Sequence, residues 1–311
     1  MTQEMKIEFT EELFQPAAKH DKSEGNEIVR ASMSFWQDAW RRLKKDKLAM
    51  IGLVFVILIT IIAVFAPLLT PYDYATQDLS NTNQFPSLKH LFGTDQYGRD
   101  ILTRVLYGAR ISMIVAYVST VITLVIGALY GGISGFFGGK TDMVMMRIIE
   151  ILSGIPSLLY LILFMVKLGP GLLTIILAMS ISGWMGMARM VRSQVISQKE
   201  TEYVMAVRAL GVGEFKILLK HLLPNSLGII IVNLTLAVPS AIFQEAFLSF
   251  LGLGVSAPTA SWGVLANEAL STYMLYPLQL LFPCLAICIT IMSFNFLGDG
   301  LRDALDPKMR K

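Results

Sequence analysis

Six long apolar stretches, separated by polar or turn-rich segments, dominate the pattern of this chain. Each holds about 20 residues, the length with which an α-helix crosses the ~30 Å of hydrocarbon in a bilayer. Because lipid offers the backbone no hydrogen-bond partners, and the alternating pattern of a membrane strand is absent, we predict that all six spans are helices. They lie at about 48–69, 111–133, 149–168, 171–188, 226–248 and 277–298. The pattern predicts an all-α polytopic membrane protein.

The composition agrees with this prediction. Of the 311 residues, 54% are hydrophobic and 16% are charged, and the mean hydropathy of +0.59 is well above that of an average soluble domain. The net charge of +3 gives no indication of a nucleic-acid partner. Cys284 and Cys288 stand four residues apart on the last span, where side chains run parallel. We interpret them as packed apolar residues and expect no disulfide between them.

Basic residues indicate the orientation of the chain. Lys and Arg cluster before the first span, between the fourth and fifth spans and at the C-terminus, and they are sparse on the opposite face. Since cytoplasmic loops carry this excess, we predict that both termini are cytoplasmic. Residues 1–31 are predicted to form a mobile cytoplasmic tail, 32–47 an amphipathic interfacial helix, and 299–311 a cytoplasmic C-terminal tail.

The stretch SGFFGGKT, residues 134–141, ends like a phosphate-binding loop. That loop requires glycine at its first position, where this chain has Ser134, and it follows a buried strand of a soluble domain, whereas this stretch follows a membrane span. We therefore predict no nucleotide binding here. The favoured interpretation is a turn at the membrane surface in which Gly135, Gly138 and Gly139 supply positive φ.

Two other function classes stay open as alternatives. A gradient-driven secondary transporter of a small polar solute needs an ionisable group inside the membrane. Glu150, Lys167 and Glu245 lie near span ends, where snorkelling to the interface explains them. A membrane enzyme needs clustered polar groups, but the three histidines, at 20, 90 and 221, are scattered. We predict neither a catalytic site nor a metal site.

The inner segment 202–224 predicts a helical hairpin, called the hairpin below. It reads as helix Glu202–Leu210, a Gly211-Val212-Gly213 break whose glycines suit the left-handed cap conformation, and helix Glu214–Leu223, closed by Pro224. On the second helix an apolar edge recurs at three- and four-residue intervals: Phe215, Leu218, Leu219 and Leu222. The edge suits docking to a partner or folding back onto this protein's own helices, and periodicity does not decide between them.

The arrangement of Ala206, Gly211 and Leu223-Pro224 in the hairpin resembles the cytoplasmic signature of ABC importer permeases. The chain departs from that signature at Met205, where an acidic residue is usual, at Val207 in place of alanine, and at His221 in place of isoleucine. Four further stretches are similar to the oligopeptide and dipeptide branch of these permeases, specifically to the second of its two membrane subunits. They are 92–112, 131–158, 245–263 and 296–310, so the resemblance runs from about residue 35 to the C-terminus.

This resemblance implies a type I ABC importer permease fold in the cytoplasmic membrane of a bacterium, with a six-helix permease domain at 48–298. It implies a second homologous permease, two cytoplasmic ABC ATPases, an extracytoplasmic peptide-binding protein and a peptide substrate as partners, in addition to the lipid bilayer. ATP and Mg²⁺ would be held by the ATPases, so no cofactor is expected on this chain. The function expected is that of a non-catalytic subunit of an ATP-driven peptide importer.

Three groups of residues follow as candidates for these contacts. The expected ATPase-docking residues of the hairpin are Glu202, Met205, Ala206, Val207, Arg208, Gly211, Glu214, His221, Leu223 and Pro224. The expected contacts to the receptor or partner permease are Asp95, Arg99, Asp100 and Trp262, with an internal Asp–Arg turn as the alternative for the first three. The expected pathway residues, for which interhelical hydrogen bonds and tolerated kinks are the alternatives, are Pro156, Asn233, Pro239, Ser240, Gln244 and Asn295.

Overall fold

The computed structural model describes residues 34–255 and 258–306, so the tail predicted at 1–31 lies outside it. The chain divides into a short first unit, 1–38, and a second unit, 39–311, that contains all the long helices described. The division falls inside the first helix, α1, in the region where an interfacial helix was predicted. Everything below concerns the second unit.

The described residues form helices and loops, and no β-strand occurs among them. The long helices are α2 (Lys47–Leu69), α3 (Ile101–Phe137), α4 (Gly139–Ser153), α5 (Ser157–Leu168), α6 (Leu172–Gln198), α10 (Leu227–Phe250) and α12 (Pro277–Leu305). The short helices are α1 (Phe35–Leu43), α7 (Glu202–Ala209), α8 (Glu214–Ile217), α9 (Leu223–Asn225) and α11 (Trp262–Ala269). A π-helical turn, Leu218–Leu222, joins α8 to α9.

Five of these helices are long and apolar enough to cross a membrane, and α4 with α5 makes a sixth if the pair counts as one span. That pair is bent by 77°, so the prediction of a continuous third span over 149–168 is wrong. Pro156 explains the break, because a proline disfavours helical geometry in the residue before it and cannot donate an intrahelical hydrogen bond. Pro156 is the N-cap residue of α5, with φ of −56° and ψ of 134°.

Three spans continue as helix beyond their apolar stretches. Helix α3 has 37 residues, α6 has 27 and α12 has 29, so each is longer than the hydrocarbon requires. The predicted C-terminal tail at 299–311 is therefore corrected, since its first seven residues belong to α12. Ala304 and Leu305 at its end are buried, which stabilises this extension.

The two ends of the bundle are built from different elements. One end, called the hairpin end, contains the start of α2, the ends of α3 and α6, and helices α7 to α9. The opposite end, called the loop end, contains residues 70–100 and α11. Antiparallel packing brings the matching ends together: a Cβ at Gly300 of α12 would lie 2.2 Å from Ala49 Cβ of α2.

Helices α3 and α6 pack with their backbones in close contact, and glycines on α3 permit it. A Cβ at Gly131 would lie 2.1 Å from the carbonyl oxygen of Ala188, and a Cβ at Gly135 would lie 2.7 Å from that of Arg192. Since Gly135 lies inside α3 and faces the backbone of α6, the prediction that it supplies positive φ is wrong. The prediction is confirmed for Gly138 and Gly139, at φ of 63° and 53°.

The joint between α3 and α4 is fixed by an ion pair. The Asp142 carboxylate accepts a hydrogen bond from Ser134 Oγ at 2.5 Å and another from Arg192 Nη2 at 2.6 Å. Ser134, Asp142 and Arg192 belong to α3, α4 and α6, so the stretch that ends like a phosphate loop is instead a joint where three helices meet.

Candidate functional site

The hairpin begins with α7 and reverses direction at glycine. Gly211 takes a φ of +75°, the left-handed conformation that glycine reaches without steric cost. Gly213 does not, since its φ of −60° and ψ of 142° are those of the N-cap residue of α8. Of the two glycines predicted to suit the left-handed conformation, only Gly211 adopts it.

The second leg of the hairpin does not end at Pro224 as predicted. It continues as α9 to Asn225, and the chain turns at Ser226 before α10. The π-helical turn explains how proline fits, because a proline ring clashes with the carbonyl four residues earlier in a regular α-helix. In the π turn the Leu223 N–H donates to the Leu218 carbonyl, five residues back, which widens the helix just before Pro224.

The inner face of the hairpin is folded onto the protein itself. Val204 of α7 and Ile217, Leu218 and Leu222 of the second leg have no exposed surface, and they pack into a cluster with residues of α3, α6 and α10, including Val191. The predicted apolar edge is therefore divided. Leu218 and Leu222 fold back, whereas Phe215 and Leu219 on the same helix remain 52% and 40% exposed.

The outer face of the hairpin is exposed and carries most of the expected ATPase-docking residues. The exposed ones are Glu202, Met205, Ala206, Arg208, Gly211, Glu214 and Pro224. The half-buried ones are Val207, His221 and Leu223. Leu210, beside the turn, is 81% exposed, and Met205 is 51% exposed. The hairpin therefore presents large apolar side chains outward from a base that is fixed by the buried cluster.

One ion pair joins the two legs of the hairpin. Arg208 Nε lies 3.2 Å from Glu214 Oε1, and the Arg208 guanidinium lies 5.9 Å from the centre of the Phe136 ring. The side chains of the pair are 47% and 50% exposed. Their charges balance each other, so the pair contributes to the shape of the hairpin more than to its net charge.

At the loop end, four charged side chains form a buried network, called the ion network below. Asp95 Oδ2 lies 2.6 Å from Arg99 Nε and 2.9 Å from Arg104 Nη1, and Glu268 Oε2 lies 2.8 Å from Arg99 Nη2. Arg104 also contacts Glu268. The side chains of Arg99 and Arg104 are only 4% and 2% exposed. The network joins the loop 70–100, the start of α3 and helix α11.

Asp100 and Trp262 have internal roles beside this network. Asp100 is the N-cap of α3, since its Oδ2 accepts from Thr103 N–H at 2.8 Å, and its Oδ1 lies 3.0 Å from His90 Nδ1. The Trp262 indole N–H donates to the Val105 carbonyl at 3.0 Å. A contact to the receptor or partner permease was expected at four residues that are buried within this chain and make internal contacts: Asp95, Arg99, Asp100 and Trp262. Asp95 and Arg99 form the internal Asp–Arg pair that was the alternative.

An exposed turn lies nearby in the same loop. Asp78 caps the helical turn Leu79–Asn81. Hydrogen bonds from the Ser80 hydroxyl, the Asn81 amide and the Ser80 N–H lower the pKa of the Asp78 carboxyl.

Glu245 of α10 is buried among serines. Its carboxylate accepts from Ser112 Oγ of α3 at 2.8 Å and from Ser249 Oγ at 2.7 Å, and it has no exposed surface. The prediction that it snorkels to the interface is wrong, because Glu245 is fully buried and bonded to hydroxyl groups of α3 and α10. Ser112 Oγ in turn accepts from Trp262 N–H at 3.4 Å, which connects this site to α11.

Three of the six expected pathway residues form a polar stripe on one face of α10, and the other three lie elsewhere. Asn233, Ser240 and Gln244 share one face of α10, seven and four residues apart, with Ser240 exposed and the other two half-buried. Gln244 borders a cavity of about 200 Å³ between α5, α6 and α10. Pro239 faces the core, while Pro156 and, on α12, Asn295 are exposed. Asn233 and Ser240 bond carbonyls of their own helix, so the expected interhelical alternative does not apply to them.

Sequence reasoning missed Glu268 and Asp142. One signal was available for Glu268: the segment 251–276 has no lysine or arginine, so its glutamate had to find a cation elsewhere in the chain. Nothing in the local sequence identified Asp142 as the partner of a residue fifty positions away. Among residues 34–255 and 258–306, no group of histidine, cysteine and carboxylate side chains is placed to hold a metal.

The sequence matches two known protein-family models. Residues 124–311 match the family described as binding-protein-dependent transport system inner membrane component. Residues 34–86 match the N-terminal transmembrane domain of oligopeptide transport permease C. The two matches together cover most of the chain.

Two curated relatives from Bacillus subtilis (strain 168) agree with these matches. The chain is 52% identical over 299 residues to the oligopeptide transport system permease protein OppC, covering 96% of this chain and 98% of that protein. It is 53% identical over 289 residues to the dipeptide transport system permease protein DppC, covering 93% and 90%.

A solved structure shows the fold independently. Inward-facing MetNI, a methionine ABC transporter, superposes with a TM-score of 0.55 at 20% identity, over 66% of this chain and 98% of that one. The similarity shows the type I importer permease fold. From its sequence matches and its fold, the chain belongs to the family of binding-protein-dependent transport inner membrane components, within the oligopeptide and dipeptide permeases of ABC importers.

Proposed function

We propose that this chain is one of two membrane halves of an ATP-driven importer of peptides, and that it moves because ATPase subunits bind its hairpin. The complete importer would contain a second, homologous permease, two cytoplasmic ABC ATPases and an extracytoplasmic peptide-binding protein. ATP and Mg²⁺ would be bound by the ATPases. The excess of lysine and arginine at the hairpin end supports a cytoplasmic location for that end and for both termini.

The observation that carries the proposal is the two-sided construction of the hairpin. Its inner face is buried against α3, α6 and α10, and its outer face exposes Met205 and Leu210. A force applied to such an outer face reaches the membrane helices, because the inner face is packed without exposed surface between them. A flexible loop with the same outer residues would not transmit it.

The stripe on α10 supports a role in passage of the substrate. Asn233, Ser240 and Gln244 place amide and hydroxyl groups along a face of α10 that this chain leaves partly uncovered. We propose that the second permease faces this stripe and that peptide backbone passes along it. Peptides are proposed as the substrate because the curated relatives are named as oligopeptide and dipeptide permeases.

The test uses one exposed leucine at each end of the bundle. Leu210→Asp places a charge on the outer face of the hairpin, and Leu79→Asp places one on the loop end, where Leu79 is 72% exposed. We expect Leu210→Asp to abolish co-purification of the ATPases with the two permeases, while Leu79→Asp retains it. Both variants should insert and pair with the second permease as the wild type does.

Transport measurements complete the test. Proteoliposomes with the whole importer and its peptide-binding protein should accumulate a labelled peptide only when ATP is supplied to the ATPase side. ATPase retention by Leu210→Asp, or uptake driven by a proton gradient without ATP, would contradict the proposal.

A further inference from the structure

The second leg of the hairpin is apolar on more sides than the protein covers. Ile217, Leu218 and Leu222 face the interior, with no exposed surface. Phe215 and Leu219 lie on a second side and remain 52% and 40% exposed. Exposed apolar side chains bordered by polar residues mark a surface suited to contact with a partner or a membrane.

Two lysines border the uncovered side. Lys216 and Lys220 are exposed, and within the described part of the chain neither has an ion-pair partner. The carboxylate nearest along the sequence, Glu214, is already paired with Arg208. Phe215, Lys216, Leu219 and Lys220 border one shallow depression, and we call these four residues the Phe215 face.

The Phe215 face lies at the level of a membrane boundary. A Cβ at Gly132 of α3 would lie 3.3 Å from Leu218 Cδ1, so the leg crosses α3 at Gly132. Gly132 is the next-to-last residue of the apolar stretch 111–133 that marks the hydrocarbon-spanning part of α3. If the apolar stretch marks the hydrocarbon, the leg crosses α3 close to the level where hydrocarbon gives way to headgroups.

The second leg leads within a few residues into a membrane span. Leu223 packs inward with Leu218, and Leu227, the first residue of α10, is 40% exposed. Helix α10 is one of the five spans. Lysines beside exposed apolar side chains at this level keep their ammonium groups at the phosphates while the apolar side chains lie against acyl chains.

We infer that the Phe215 face is a binding site for anionic phospholipids, with Phe215 and Leu219 against acyl chains and Lys216 and Lys220 at the headgroup phosphates. Lipid would then cover the second side of the leg while the outer face near Leu210 stays free. An acidic protein surface is the competing occupant. Lipid is favoured because the leg crosses α3 at the end of its apolar stretch and leads directly into the span α10, whereas a protein partner would have to reach the bilayer boundary.

The first experiment measures lipid preference on the full chain. Phosphatidylglycerol or phosphatidylcholine is titrated into the detergent-purified protein, and thermal stability is recorded at each concentration. We expect phosphatidylglycerol to stabilise the wild type at lower concentration than phosphatidylcholine. In the double variant Lys216→Gln/Lys220→Gln, half-maximal stabilisation by phosphatidylglycerol should need about 30-fold more lipid. The matched control Lys89→Gln/Lys140→Gln, which removes two exposed lysines elsewhere, should behave as the wild type does.

The second experiment measures depth. The full chain with Phe215→Trp, or with Leu210→Trp as the control, is placed in nanodiscs of brominated phosphatidylglycerol. After subtraction of the signal of the wild type, which has four tryptophans, bromine should quench the indole at 215 and leave that at 210 unquenched. Equal lipid requirement in both double variants, or no quenching at 215, would overturn the inference. So would loss of ATPase binding in Lys216→Gln/Lys220→Gln with lipid preference unchanged, since this would identify a protein contact.

Discussion

The two ends of the bundle place their charges in opposite ways. At the loop end, Arg99 and Arg104 are nearly inaccessible and share two carboxylates inside the fold. At the hairpin end, the hairpin packs on an apolar cluster, and its Arg208–Glu214 pair lies outside with about half of each side chain exposed. The Asp142–Arg192 pair at the same end joins helices too, but its side chains are 18% and 32% exposed. The arginines of the ion network are therefore enclosed at the loop end, whereas the ion pairs at the hairpin end stay accessible to solvent.

The largest expected effect is at the ion network. Arg104→Gln removes a buried cation that contacts both Asp95 and Glu268, and leaves the buried Asp95 and the partly buried Glu268 with one arginine. Breaking a buried pair in this way costs about 3–5 kcal/mol. Thermal unfolding of the purified chain in detergent measures the loss. The control is Arg110→Gln, an exposed arginine on the same helix, which should change stability by no more than about 0.5 kcal/mol. Similar losses for the two variants would show that the network is not what stabilises the loop end.

A smaller effect is expected where α3 and α6 approach each other near the hairpin end. The methyl group of Gly131→Ala would overlap the Ala188 carbonyl oxygen, a backbone atom that moves only if the whole helix shifts. Overpacking of this kind costs about 1–3 kcal/mol.

Gly186 of α6 supplies the matched control for that measurement. It lies inside a helix as Gly131 does, but a methyl group added at Gly186 would have no atom of a neighbouring element within 4 Å. Gly186→Ala should raise stability by up to about 1 kcal/mol, because alanine favours helix more than glycine does. If both substitutions act in the same direction, close backbone contact does not hold the hairpin end together.

The smallest effect is expected at the hairpin ion pair. Arg208→Gln makes the same chemical change as Arg104→Gln, but its partner Glu214 is half exposed and becomes solvated when the pair is broken. Exposed pairs contribute about 0–1 kcal/mol, and added salt screens them. Unfolding at low and high salt should show a small loss that shrinks with salt. A loss comparable with that of Arg104→Gln would remove the contrast between the two ends.

Much of the fold could be predicted because lipid imposes simple rules. An apolar stretch of about 20 residues has few alternatives to a membrane helix, so most of the spans fall where hydropathy places them. The third span is an instructive exception. Its composition satisfies the same rule, but Pro156 breaks its geometry, and hydropathy does not register a bend. The turn at Gly211 was predictable for a comparable reason, since few residues other than glycine adopt its φ.

The sites were harder to predict because they depend on residues distant in sequence. Asp95 and Arg99 read as surface charges in a loop, and only the position of Glu268, 169 residues after Arg99, shows why they are buried. Glu245 reads as a span-end carboxylate until Ser112, 133 residues earlier, is placed beside it. Periodicity likewise identified the apolar residues of the hairpin, but it could not separate Leu218, which packs inward, from Leu219, which does not.

Helix α3 connects the two ends of the bundle in one continuous rod. Its 37 residues give it a length of about 55 Å. Arg104 anchors its first turns to the ion network, and Gly135 anchors its last turns to α6. If α3 tilts by about 10° about a point near one end, its other end moves by about 10 Å. A small tilt imposed at the hairpin end would thereby shift side chains at the loop end by several ångströms.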